Sequence, residues 1–195
     1  MATETRLPGA FFERSVHDVA GDLIGCSLRF EGVGGIIVET ESYERDDPAC
    51  HAYGGPTARN APLFGPSAHA YVYLSYGIHS LLNFVAEPEG SAAAVLIRAL
   101  EPRWEIERMR SRRGGVADAE LCSGPGKLTV ALGIGLEWSG AALIEPPFEI
   151  GAREPGWEAV AVATGPRVGI SKAVERPWRF CAAGNPHVSQ PRLAA

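Results

Sequence analysis

The sequence predicts an α+β fold in a single mixed domain, on three observations. Its 195 residues suit one compact unit, long enough to bury a substantial core. Runs rich in β-branched and aromatic residues are joined by short Gly-containing turns, so the strands they form pair antiparallel. Helix-spaced stretches near the N-terminus and after Pro102 lie apart from those runs and flank the sheet.

From Phe11 to Phe30 a helix runs into a strand. Ser15 is placed as an N-cap, Val16, Val19, Ala20 and Leu23 recur at helical spacing, and Gly25 stops the helix. Cys26 to Phe30 alternates as a strand, Glu31 to Gly35 turns, and Ile36 to Tyr43 returns antiparallel as a buried strand. Alternation puts Glu39 and Glu41 on one side of that strand, an odd pattern for simple core packing. That face, with Tyr43, His51 and Tyr53 following, is the candidate active site. Residues 44 to 67 read as a long loop, and a loop of that length in a small domain is more often functional than accidental.

Residues 70 to 87 and 92 to 102 read as strands of a hairpin-like pair. Tyr71, Tyr73 and Ser75 share one face, Val72, Leu74 and Tyr76 the other, and Gly77 allows a sharp bend at a tip. A charged helix follows Pro102 to about Arg113 and ends at Gly114-Gly115. A short helix begins at SGPGKL and stops at Gly133. SGPGKL is not a phosphate loop, because Leu121 stands where its first glycine belongs and Leu128 where Ser or Thr should follow Lys127. Its helix N-terminus and lysine suit either one phosphate or a plain cap. Ala159 to Thr164, Arg167 to Ile170 and Arg179 to Ala183 are further strand-like pieces, and residues 190 to 195 are expected to fray.

Hydrophobic residues make up 46% and charged residues 21% of the chain, ordinary for a soluble globular protein, and no apolar run approaches the length of a membrane span. No signal-peptide pattern opens the chain, so a cytoplasmic protein without membrane contact is expected. The four cysteines show no CxxC and are expected reduced and structural. His51, His69 and His79 lack ligand-like spacing, so no metal is expected. The net charge of −5 argues against a nucleic-acid partner, yet arginines 98, 103, 108, 110, 112 and 113 cluster. The cluster fits a local basic surface and equally a solvated helix face paired with Glu101, Glu105 and Glu107.

The blocks VETESY, HAYGGPTARN, FGPSAHAYVYLSYG, VLIRALEP, SGPGKL and RVGISKAVERPWRF, in that order, resemble the alkyladenine, or 3-methyladenine, DNA glycosylase family over nearly the whole chain. The resemblance implies a monofunctional base-excision repair enzyme that removes alkylated or deaminated purines from duplex DNA, acting as a monomer without a cofactor. It also implies a curved antiparallel sheet that projects a β-hairpin into the minor groove. Glu41 matches the family's catalytic glutamate and Arg98 the arginine that helps hold the water, with the backbone carbonyl near Val168 as third contact. Tyr43, His51 and Tyr73 match the walls that stack on a flipped base, Asn83 the pocket floor, and Tyr76 the residue inserted into the vacated stack. Arg59 and Lys127 are the candidate phosphate contacts. The chain departs from the family in the Tyr43–His51 interval, one residue shorter, and at His187, where Trp is common.

Chemistry supports those roles. N-glycosidic cleavage passes through an oxocarbenium-like sugar, so one carboxylate that deprotonates water and stabilises positive charge suffices when the leaving purine is already cationic. No lysine stands in the pocket motif, so no Schiff-base intermediate is expected. Read from the residues alone, Glu41 also fits an ion pair with an arginine and Tyr76 a core tyrosine. A catalytically silent nucleic-acid-binding module remains the alternative, predicting binding without base release.

Overall fold

The computed structural model describes residues 5 to 193. An antiparallel sheet runs through it in the order β3-β4-β5-β2-β1-β6, and β8 joins β2 and carries β7. The strands are β1 (Cys26–Phe30), β2 (Val33–Tyr43), β3 (Ala70–Ser75), β4 (His79–Ala86), β5 (Ala93–Trp104), β6 (Phe148–Arg153), β7 (Val162–Gly165) and β8 (Arg179–Ala182). Helices α1 (Val16–Asp22), α2 (Ile106–Arg113), α3 (Asp118–Leu121) and α4 (Pro125–Leu132) flank them, so the α+β expectation holds.

Strand β1 has the predicted bounds, but the turn after it is shorter than expected. Only Glu31 and Gly32, both with positive φ, make the turn, and β2 already begins at Val33. Gly34 and Gly35 lie within the sheet, where a Cβ would collide with the carbonyl oxygens of Leu28 and Glu101. These glycines let β1 and β5 close on β2 rather than turn the chain.

Alternation then divides the sheet into two faces. Val72, Leu82, Phe84, Val95 and Ile97 join the apolar residues of α1, α2 and α4 in the main core. Their neighbours Tyr71, Val85 and Ala94 face a smaller cluster under the 44–67 loop, with Cys50, Ala52 and Leu63. In β2 the register against β5 shifts around Glu39, a bulge just where the acids stand. Thr40 points to α1, its hydroxyl donating to the Ala20 carbonyl. Glu39 and Glu41 share the opposite side, as predicted.

Other expectations are corrected. Residues 167 to 170 form no strand but a loop held by side-chain contacts, and β6 and α3 have no counterpart in the sequence reading. The hairpin is β3–β4, while β5 pairs with β4 and continues along β2. Residues 190 to 193 are tied down rather than frayed: the Pro191 carbonyl accepts a bond from Arg179, and Leu193 packs on the core. The rest of the expected frayed tail, residues 194 and 195, lies outside the described residues. The arginine cluster is largely consumed internally, since Arg110 pairs with Glu107 and Asp118, Arg103 with Glu101, and Arg112 binds the Ala131 carbonyl. The four cysteines are free and buried, and burial pushes the Cys26 and Cys122 thiols up to about 12. Among the described residues no helix is long and apolar enough to cross a membrane.

Candidate active site

Side by side, β2 and β5 bring together acids and an arginine from distant parts of the chain. Glu41 is fully buried. Its Oε1 accepts the Val168 amide at 2.7 Å and lies 3.2 Å from Arg98 Nη1, while its Oε2 accepts the Tyr43 hydroxyl at 2.7 Å. Arg98 Nη1 also reaches the Val168 carbonyl at 3.5 Å. Glu41, Arg98 and Val168 therefore meet at one point, and the ion pair that the residues alone suggested for Glu41 is present as well. Val168 contributes its amide to the carboxylate, which the sequence reading did not foresee.

Arg98 is held from its other side. Its Nε donates to Glu39 Oε1 at 2.7 Å and its Nη2 to Ser189 Oγ at 3.4 Å. Glu39, fully buried, also accepts Arg179 Nε at 2.8 Å and the Ser189 amide and hydroxyl at 2.7 and 2.9 Å. Burial alone would raise the Glu39 carboxyl, but Arg98, Arg179 and the Ser189 amide pull it below its ordinary value.

In front of this cluster opens a cleft of about 840 Å³, in the range of small-molecule pockets. Tyr43, Arg98 and Val168 line it, so the Glu41 carboxylate sits directly behind its wall. His51 and Tyr73 meet edge to face at 4.4 Å between centroids, and Tyr71, which the sequence reading gave no role in the site, stacks on Tyr73 at 5.5 Å. His51 Nδ1 shares a 3.0 Å hydrogen bond with the Tyr71 hydroxyl, and burial, then Arg59, lowers the His51 imidazole below its usual range. Burial and the Glu41 charge hold the Tyr43 phenol well above its ordinary value, so it stays a donor. Asn83 Nδ2 donates to the Tyr71 carbonyl at 3.1 Å, which fixes its amide at the cleft.

The short interval before His51 is anchored from below. Asp47 forms a buried ion pair with Arg167, whose guanidinium lies over the rings of Tyr43 and Trp178 at 4.6 and 5.1 Å. His51 thus reaches the wall, where it meets Tyr73. His187 is half-buried, and among the described residues its Nδ1 has no hydrogen-bond partner.

At the mouth, Tyr76 and Gly77 both take positive φ and make the β3–β4 turn. Tyr76 is 88% exposed and Ile78 71%, so Tyr76 is no core residue. Arg59 lies beside the hairpin, its Nη2 donating to the Leu74 carbonyl at 3.0 Å. Lys127 Nζ donates to Ser123 Oγ at 3.3 Å in the first turn of α4. A Cβ on Gly126 would stand 3.0 Å from His79 Cβ, so glycine there lets α4 seat against the hairpin. Both Arg59 and Lys127 border the cleft. Among the described residues no group of three or more His, Cys, Asp or Glu gathers as a metal site would require.

Residues 10 to 186 match the model of the methylpurine-DNA glycosylase family. The chain belongs to that family. A Rhodopseudomonas palustris (strain HaA2) protein named "Putative 3-methyladenine DNA glycosylase" is 57% identical over 183 residues, 93% of this chain and 89% of its own. Its namesake from Nitrosospira multiformis is 53% identical over 184 residues, 94% of each chain. Membership in the methylpurine-DNA glycosylase family makes the enzyme class a DNA glycosylase, a hydrolase of DNA repair. Of the residues that carried the resemblance, Tyr43, His51, Tyr73, Tyr76, Asn83, Arg98 and Val168 line this cleft, with Glu41 behind its wall.

Proposed function

We propose that the chain removes alkylated or deaminated purines from duplex DNA by flipping the damaged nucleotide into the cleft and hydrolysing its N-glycosidic bond with a water activated by Glu41. The observation that carries this reading is the meeting of Glu41, Arg98 Nη1 and the Val168 carbonyl at the wall of an aromatic cleft. Oε1 already takes two donors and Oε2 only the Tyr43 hydroxyl, which leaves a lone pair on Oε2 for a water proton. Arg98 donates to the water oxygen, and the Val168 carbonyl accepts a hydrogen bond from its second proton, which stays on the new sugar hydroxyl. As the bond to the sugar lengthens, the nearby carboxylate stabilises the oxocarbenium charge, and the neutral base departs without an acid when it began as a cation.

The rings of Tyr43, His51 and Tyr73 receive the base, and stacking returns about 1–3 kcal/mol for each base against the cost of flipping. Electron-poor alkylated purines stack best on tyrosine faces. Asn83 holds its amide where the exocyclic amino group of guanine would clash. Tyr76 enters the stack the base has left. Arg59 and Lys127 bind backbone phosphates on either side of the cleft. A single chain suffices for all of these contacts.

A single-turnover base-release assay on duplex DNA with one damaged adenine tests this. Glu41→Gln is expected to lower release by about 10²–10⁴-fold while retaining duplex binding, since general-base catalysis contributes on that order. Binding without release by the wild type would favour a silent DNA-binding module.

A further inference from the structure

Glu41 and Arg98 do not define the site alone, because Arg98 has more than one carboxylate to choose from. With the wrong torsions its guanidinium would pair bidentately with Glu41, the geometry guanidinium and carboxylate prefer, and would cover the lone pairs a water needs. Here it does not. Its Nε faces Glu39, its Nη2 faces Ser189, and only Nη1 is left for Glu41 and the Val168 carbonyl.

Ser189 joins the arrangement at several points. Its amide and hydroxyl both donate to Glu39, and the same hydroxyl oxygen accepts Arg98 Nη2. The arginine that balances the second acid is tied to the same segment, Arg179 Nη2 donating to the Ser189 carbonyl at 3.1 Å and Nη1 to that of Pro191 at 2.8 Å. Ser189 is 150 residues from Glu39 and lies beyond the stretch matched by the family model. Neither Glu39 nor Ser189 lines the main cleft, and both are buried on the side of Arg98 away from Glu41.

We propose that Glu39 and Ser189 form a positioning pair that sets the pose of Arg98, so that one amino group, not the whole guanidinium edge, addresses Glu41 and the attacking water. The inference rests on the reading of Glu41 as the base. Glu39 fixes the Nε edge by charge and Ser189 fixes the Nη2 edge by a neutral hydrogen bond. Removing the hydroxyl frees that edge to rotate toward Glu41 without unbalancing the buried charges.

The test uses saturating single-turnover base release from duplex DNA carrying 3-methyladenine, comparing wild type, Ser189→Ala, Ser189→Thr and Glu41→Gln. Ser189→Ala is expected to lower the saturating rate constant about tenfold, as small displacements of positioning groups do. The enzyme concentration for half-saturation should stay unchanged, and Ser189→Thr, which keeps the hydroxyl, should return the rate to within about threefold of wild type on the same positional argument. A merely structural role gives a different result: partial unfolding lowers the active fraction and raises the half-saturating concentration but leaves the saturating rate constant intact. That pattern, or a wild-type rate in Ser189→Ala beside an inert Glu41→Gln, overturns the positioning role alone. Wild-type activity in Glu41→Gln overturns the underlying reading and this inference with it.

Discussion

The interior behind the cleft and the tip of the β3–β4 hairpin reverse the usual rule of burial in opposite senses. Behind the cleft, Glu39, Glu41, Asp47, Arg98, Arg167 and Arg179 are all buried charges. At the tip, Tyr76 and Ile78 are large hydrophobic side chains held in solvent. Each buried charge faces an opposite one, whereas Tyr76 and Ile78 stand mostly in solvent. The first region thus finds its counter-charges within the chain, and the second is the part that, on the proposed function, enters the gap in a base stack. On that function, stability and recognition are separated in space.

Mutations should separate them too. Arg179→Met leaves Glu39 buried with one cation fewer, and is expected to lower the unfolding free energy by about 3–5 kcal/mol in a denaturant titration. Tyr76→Ala should do the reverse, leaving stability within about 0.5 kcal/mol while weakening binding to a damaged duplex and slowing release about tenfold. A stability loss in Tyr76→Ala with none in Arg179→Met would break the comparison.

Acid sharpens it further. The Glu39 carboxyl is held below its ordinary value of 4.5 in the folded chain, so the folded state binds fewer protons there than the unfolded one. Its contribution to stability is fully present above pH 4.5 and is lost as pH falls from there through the depressed folded value. Glu39→Gln should therefore show a shallower loss of stability below pH 4.5 than wild type in acid titrations followed by circular dichroism, from a lower starting point at neutral pH.

What the sequence revealed follows the range of the interactions. Strand β1 and helix α1 were legible because alternation, a 3.6-residue spacing and a stop glycine are local signals. The shared side of Glu39 and Glu41 survived the bulge between them, and the bend at Gly77 was legible from one glycine, while the exposure of Tyr76 was not. Strand β6 alternates Phe148, Ile150 and Ala152 with Glu149, Gly151 and Arg153, but it is six residues long and follows Pro146-Pro147, and it was missed. Residues 167 to 170 looked like a strand by composition, yet Arg167 is drawn out of any ladder by Asp47, 120 residues away. No local pattern could announce that pair, nor Ser189 on Glu39. The candidate site was legible mainly through its likeness to a family, while the contacts that hold it in shape required the fold.

The distance along the chain between Glu39 and Ser189 sets a schedule for biosynthesis. The acids of β2 emerge 150 residues before the amide and hydroxyl that later seat Glu39. At about 5–20 residues per second, about 8–30 s of translation separates them. During that interval β2 has no complete set of donors and its carboxylates keep their water, so a nascent chain cannot seal the strand into its final burial. A ribosome stalled between positions 41 and 189 would hold a chain with both acids of β2 already made and without the donors that seat Glu39.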